Sequence, residues 1–187
     1  METTKGKAAR ARAGYWNGSL SFGYTTVKLF KKHGYADWQN SQITETAYNT
    51  YLEQIAEMFE RFKHLTEDDA IPDPINAGGL LLAFEYYSQG GVSDRDVGNL
   101  LNALGYRPSR HTGKRHRQLF GPDTIRDMLQ NRFYLAETQY KGEMFPGRHP
   151  ALISEALFEL CQETRRKRRI RKVRGKAVHL VYPLSRI

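Results

Sequence analysis

The sequence predicts a mixed α+β fold, mainly helical, with a helix-turn-helix-like core and small β-ribbons. Three patterns carry that expectation. Apolar residues recur at steps of three and four in several windows, the spacing of a helix that buries one stripe. Two short helical signals, near 93–104 and 122–131, flank a polar connector. Glycine-rich, aromatic and β-prone residues at 14–36, and a loose alternation around Lys141-Gly142, suit short strands and tight turns.

Taken in chain order, residues 1–13 are polar and basic and read as an arm or the end of a preceding element. Residues 45–65 place Tyr48, Leu52, Ile55, Phe59 and Phe62 on one stripe of an amphipathic helix, with Glu and Gln opposite. Asp73 before Pro74 suits an N-cap and first-turn proline, so a helix over about 74–89 is expected to bury Leu81, Phe84 and Tyr87. Gly78 and Gly79 weaken its first half. Ser93 and Asp96 have capping-box spacing ahead of Val97, Leu100, Leu101 and Leu104, and Gly105 closes that helix. A third helix over about 122–131 should turn Ile125, Met128 and Leu129 inward. A hairpin turning at Lys141-Gly142 follows. Ser154 then caps a last helix that carries Leu157, Phe158 and Cys161 and runs out into arginines.

Composition narrows the chemistry. A chain of 187 residues suits one ordinary domain and can bury a core without staples. The lone cysteine, Cys161, leaves no partner for an internal disulfide and too few thiolates for a cysteine-based zinc site. No run of about 18 apolar residues or signal-peptide pattern is present, so the expectation is a soluble, cytoplasmic protein with no membrane partner. Net charge is +9, and residues 165–176 (RRKRRIRKVRGK) alone hold nine Lys or Arg and no acid. Residues 37–85 carry ten acidic side chains against Arg61 and Lys63. Such polarity suits an oriented polyanion binder.

The paired helices at 93–131 have the shape of a helix-turn-helix with an enlarged connector, whose second helix would enter a major groove. Its start and outer face hold Asp123, Thr124, Arg126 and Asp127. Arg126 could fork onto guanine, and Thr124 could meet a phosphate or a thymine methyl. The connector gathers Arg107, Arg110, Lys114, Arg115 and Arg117 with His111 and His116, a density of cations that phosphates would relieve. The histidines as metal ligands would need a further ligand, and none has a convincing spacing, so no metal is expected. Gly14, Gly18 and Gly23 fit neither nucleotide-loop pattern. No serine has an identifiable base, so no catalytic residue and no cofactor are assigned.

Several pieces, in order, resemble one family: GYWNGSLSFGY (14–24), IPDPINA (71–77), the Phe84-x-x-Tyr87 helix, SQGGVSDRDVGNLLNALGY (88–106), GPDTIRDMLQNRFYLAE (121–137) and YKGEMFPGRHPALISEALFELCQ (140–162). The ordered set closely resembles the recombinase DNA-binding domain of large serine recombinases, the phage integrase and transposase group. Ser21 stands where that family usually has proline, and residues 33–68 look like an insertion. The ending YPLSRI is similar to the lead-in to the family's zinc ribbon.

The resemblance implies a middle domain. Residues 1–13 would be a basic arm from a catalytic domain, 14–164 the DNA-binding domain and 165–187 a basic linker toward a zinc ribbon. The partner would be double-stranded DNA at an attachment half-site, with no nucleotide cofactor and no chemistry in this chain. The parent recombinase, bacterial or phage-encoded and nucleoid-associated, would be a dimer on DNA and a tetramer in synapsis. DNA-binding side chains would be Thr124 and Arg126 at bases, and Arg107, Arg110, Lys114, Arg115, Arg117 and Arg132 at phosphates. Arg10 and Arg12 would track the minor groove as an unstructured arm. Lys141 and Arg148 would add cationic contacts, and Arg165, Arg166, Arg168 and Arg169 would lie along the backbone. Two alternatives stay open: an RNA-binding module that stacks bases on Tyr15, Trp16 and Phe22, and a protein-interaction domain acting through the 45–65 helix.

Overall fold

A computed structural model describes residues 4–29, 53, 66–73, 76–108 and 118–174. The expected 45–65 helix, save Glu53, and most of the 33–68 insertion lie outside the described residues. The elements are α1 (Thr4–Arg12), β1 (Tyr24–Thr26), β2 (Ala70–Pro72), α2 (Asn76–Ser88), α3 (Asp94–Ala103), α4 (Pro122–Leu129), β3 (Glu137–Tyr140), β4 (Glu143–Pro146) and α5 (Glu155–Arg174). A single 3-10 turn, Arg132–Leu135, joins α4 to β3. The fold is α+β and mainly helical, with two antiparallel two-stranded ribbons, β1–β2 and β3–β4.

Helices α2 to α5 pack on one core of Leu80, Phe84, Tyr87, Val97, Leu101, Ile125, Leu129, Phe158 and Cys161. α2 turns Leu80, Ala83, Phe84 and Tyr87 inward. Leu81, expected in the core, is instead exposed. The inward stripe is phased on Leu80, and Leu81 shares the outer face with Glu85, its neighbour at i+4. Leu104 is likewise exposed, because α3 ends at Ala103 and the chain turns through Gly105 at φ +85°. Asp73 caps α2, its carboxylate accepting from Asn76 N at 3.1 Å. The Ser93–Asp96 capping box is present in both directions at the head of α3. Ser154 Oγ accepts from Leu157 N at 3.3 Å at the head of α5.

Gly79 weakens helix propensity, yet it admits the Tyr106 ring: a Cβ there would lie 2.7 Å from Tyr106 Cε1. The β3–β4 hairpin turns through Lys141 and Gly142, both at positive φ as a tight type I′ turn requires. β2 was not anticipated. It pairs Thr25 with Ile71, so the first ribbon closes across more than forty residues rather than within the glycine-rich stretch.

The largest difference concerns the first residues. The basic leader is helical over Thr4–Arg12, not an unstructured arm. Tyr140 Oη donates to Thr4 O at 3.0 Å and Thr138 Oγ1 to Ala11 O at 3.3 Å, so the hairpin anchors both ends of α1. Burial of Ala11 completes the seat. Small alanines at 8, 9 and 11 allow this close approach.

Candidate nucleic-acid interface

The site is built around α3 and α4, which pack together as the two helices of a helix-turn-helix unit. Their contact is close because Gly98 leaves room: a Cβ there would lie 2.9 Å from Phe120 O. Asn102 then latches the incoming chain, its Nδ2 donating to Phe120 O at 3.1 Å and its Oδ1 accepting from Phe120 N at 2.9 Å. Pro122 opens α4, where its missing N–H costs nothing.

α4 buries Ile125, Met128 and Leu129. Asp123, Arg126, Asp127 and Gln130 occupy the opposite side at i, i+3, i+4 and i+7, and all four are exposed. Arg126 Nη1 lies 2.7 Å from Asp123 Oδ1, and its Nε donates to Asp127 Oδ1 at 3.2 Å. The Asp127 hydrogen bond, with the charge of Asp123, holds its pKa above the ordinary arginine value. Thr124, expected on the outer face, is half-buried. It lines a cleft of about 390 Å³ together with Arg107, Gln118, Ser19 and Thr25.

The remaining candidates divide by what they touch. Arg12 and Lys141 are exposed on either side of a groove between α1 and the hairpin. Arg166 is exposed on α5. Arg10 is half-buried, with its guanidinium 5.6 Å from the centre of the Tyr15 ring. Others hold the fold together. Arg107 Nη1 donates to Asn102 O at 3.1 Å and Tyr106 O at 2.6 Å, satisfying carbonyls at the end of α3. Arg132 meets Glu137 through two parallel bonds, 2.5 and 2.7 Å, which also hold the Glu137 carboxyl below its usual range. Arg148 pairs with buried Asp69 at 3.2 Å and lies 4.7 Å over Tyr15. Arg165 pairs with Asp94 at 2.9 Å over the Tyr87 ring, and Arg168 donates to Val92 O beside the same ring. Arg110, Lys114, Arg115 and Arg117, His111 and His116, and the Arg169 side chain lie outside the described residues.

Sequence reasoning missed Asp69 and His149, both buried. The Thr66–Asp69 contact is local, but Arg148, which pairs with Asp69, and Phe133 and Tyr24, which enclose His149, lie far along the chain, so spacing does not mark either residue as buried. Ser21, the departure from the family's proline, accepts from Asn131 Nδ2 at 2.9 Å and so ties the entry loop to the end of α4. The aromatic residues of that loop serve the core: Phe22 makes T-shaped contacts with Phe120 and Tyr106, and Trp16 packs against the same core cluster. Tyr24 is buried and donates to Pro150 O at 2.6 Å. Among the described residues no group of acidic, histidine or cysteine side chains is placed to hold a metal. No described helix is long and apolar enough to cross a membrane.

These features define a helix-turn-helix-type domain braced by two β-ribbons. The sequence model of the Recombinase family matches residues 74–168, which is more than half of the chain, and the chain belongs to that family. Similar solved structures include the protein of an LSR–DNA complex, with 17% identity and a TM-score of 0.53 over 87% of this chain and 38% of the other. Another comes from work on the sequence requirements of the Listeria innocua prophage attP site, with 16% identity and a TM-score of 0.53 over 87% of this chain and 50% of that one. This chain therefore spans half or less of the length of those two proteins. No curated protein matches its sequence.

Proposed function

We propose that this chain binds duplex DNA at one half of a recombination attachment site, as the non-catalytic middle domain of a large serine recombinase. The exposed side of α4 carries the reading. It is a short, well-packed helix that, after Pro122, exposes the polar stripe Asp123, Arg126 and Asp127, mounted as the second helix of a helix-turn-helix unit in a Recombinase-family chain. The two similar solved structures concern an LSR–DNA complex and a prophage attP site, which favours duplex DNA as the partner.

In this reading Arg126 meets base edges and Thr124, from its cleft, a phosphate beside them. The cationic connector (Arg110, Lys114, Arg115, Arg117) supplies phosphate affinity with Arg12, Lys141 and Arg166. Arg10, Arg107, Arg132, Arg148, Arg165 and Arg168 mainly brace the surfaces that carry these contacts. Residues 1–13 lead from a catalytic domain, 14–164 form the binding domain and 165–187 lead toward a zinc ribbon. The parent recombinase acts in the cytoplasm on the nucleoid, as a dimer on each site and a tetramer in synapsis. The packing of Trp16 and Phe22 against the core weighs against base stacking on single-stranded RNA.

Binding of the full chain to mixed-sequence duplex DNA and to single-stranded RNA, compared at matched salt, tests this. Duplex should bind tighter, and its affinity should fall with salt at a log–log slope of about −4 or steeper. Equal or tighter RNA binding, or a flat salt response, would overturn the reading. Removing residues 45–65 should leave duplex binding intact. If that deletion instead abolishes self-association without touching DNA affinity, the segment has a separate interaction role.

A further inference from the structure

The outward stripe of α4 is unusual for a surface that approaches a polyanion. It holds two carboxylates and one guanidinium, so its formal charge is negative, and the side chains of Asp123, Arg126 and Asp127 are 86%, 46% and 73% exposed. Phosphates repel such a stripe, so α4 adds nothing to sequence-independent affinity. The arginine is also already engaged. Both of its neighbours hold it, at 2.7 and 3.2 Å. To grip a base it must leave one or both carboxylates.

An ionised carboxylate only accepts hydrogen bonds. In the major groove, guanine N7 and O6 and thymine O4 also only accept, so a carboxylate pressed against them leaves two desolvated acceptors face to face. Cytosine N4 donates, and so does adenine N6, but adenine N6 stands beside the N7 acceptor of the same base. A G·C pair therefore offers acceptors to a guanidinium on one base and a donor to a carboxylate on the other. Adjacent Arg126 and Asp127 match that pattern, with Asp123 one turn earlier.

On this basis, and resting on the reading of α4 as the base-facing helix, we infer that Asp123 and Asp127 are specificity-determining residues. They release Arg126 to guanine most readily where the paired cytosine N4 takes their place, and they penalise registers that set a guanine, thymine or adenine N7 acceptor against them. α4 then discriminates between sequences while the connector supplies affinity.

Selection of bound duplexes from a randomised library by the full chain, followed by affinity measurements on the selected and a mixed-sequence duplex, tests this. The wild-type site should contain a G·C pair whose exchange for A·T weakens binding roughly tenfold or more. Asp127→Asn should move the selected pair toward A·T, because an amide both donates and accepts and so suits adenine N6 and N7. Asp123→Asn with Asp127→Asn should tighten mixed-sequence binding several-fold and reduce the preference for the selected duplex by about tenfold. Thermal melting of each variant checks that the fold is kept, and Asp123→Ser, equally without charge, replaces Asp123→Asn in a double variant that melts early. Equal tightening on both duplexes would show that the carboxylates only repel, and would overturn the inference. No change on either duplex would overturn it too, and would leave DNA binding itself standing. Failure of the wild type to bind any duplex would instead remove the function on which the inference rests.

Discussion

The His149 ring lies flat against the Phe133 ring, with centroids 3.7 Å apart and planes 14° from parallel, and its Nε2 is 2.6 Å from the Phe133 carbonyl oxygen. A carbonyl only accepts, so Nε2 carries the hydrogen and the neutral ring donates. Tyr24 closes the ring's edge at 5.3 Å, and Gly147 has no space for a Cβ against it. Burial is the main cause that lowers the His149 pKa from 6.5, opposed by the hydrogen bond to Phe133.

That depression makes stability depend on pH in a definite direction. Above about pH 6.5 the imidazole is neutral in both states and costs nothing. As pH falls below that value the unfolded chain takes up a proton the folded one resists, so stability declines until the folded pKa is passed. The slope for one such group is at most about 1.4 kcal/mol per pH unit. Tyr24 does not titrate in that window, because burial raises its pKa further above neutrality. Urea denaturation at pH 7.5, 6.5 and 5.5 should show the decline in the wild type and a shallower one in His149→Gln. The same slope in both proteins would assign the effect elsewhere.

Arg148 and Asp69 give a second expectation. Asp69 is 2% exposed, and among the described residues it also accepts from the Thr66 amide and hydroxyl. Arg148→Ala strands most of that charge and uncovers Tyr15, so it should destabilise the domain by about 3 kcal/mol. Arg148→Lys keeps the charge but loses the planar contact with Tyr15, and should fall between. Below the melting transition, duplex affinity should change little. A large affinity loss in a protein with wild-type stability would return Arg148 to the phosphate contacts.

The two arginine roles show how far the sequence could be read. Helix phases in α3, α4 and α5, the Ser93–Asp96 box and the Lys141-Gly142 turn were legible because each depends on residues a few positions apart. The pairing of Thr25 with Ile71 was not, since a three-residue strand carries no period and its partner lies far along the chain. Charge told the same partial story. Arg126 was found on the outer face of its helix, as the stripe required. Arg132, Arg148 and Arg165 looked equally available, and only the fold brings Glu137, Asp69 and Asp94 to them. The α1 leader was misread for a related reason. It has no apolar stripe of its own, and its helix is held by Tyr140 and Thr138 of the distant hairpin.

Adjacent glycines in α2 should respond with opposite signs. Gly78 is exposed, and among the described residues a Cβ there would meet only Tyr106 Oη, at 3.8 Å. Gly78→Ala should therefore stabilise the domain by about 0.5–1 kcal/mol through helix propensity. At Gly79 the same methyl would press on three atoms of the Tyr106 ring at 2.7 to 2.9 Å. Gly79→Ala should cost about 1–3 kcal/mol through overpacking. Calorimetric melting of the two single variants decides this, and equal shifts would mean that Tyr106 is free to move aside.

The basic run at the start of 165–176 should divide in the same manner between fold and ligand. Arg165 is 19% exposed in its ion pair with Asp94, across the Tyr87 ring, and so joins α5 to α2 and α3. Arg166, the next residue, is exposed. Arg165→Ala should lower stability by about 1–3 kcal/mol, because Asp94 is left partly buried without its partner. Its effect on duplex affinity should vanish once the unfolded fraction is accounted for. Arg166→Ala should leave stability within about 0.5 kcal/mol, weaken all duplex sequences alike and reduce the salt slope by about one. Melting curves and salt-dependent binding on both variants separate the two roles. An Arg165→Ala protein of normal stability with a reduced salt slope would show that α5 presents its whole basic run to DNA and that the contact with Asp94 gives way to phosphate.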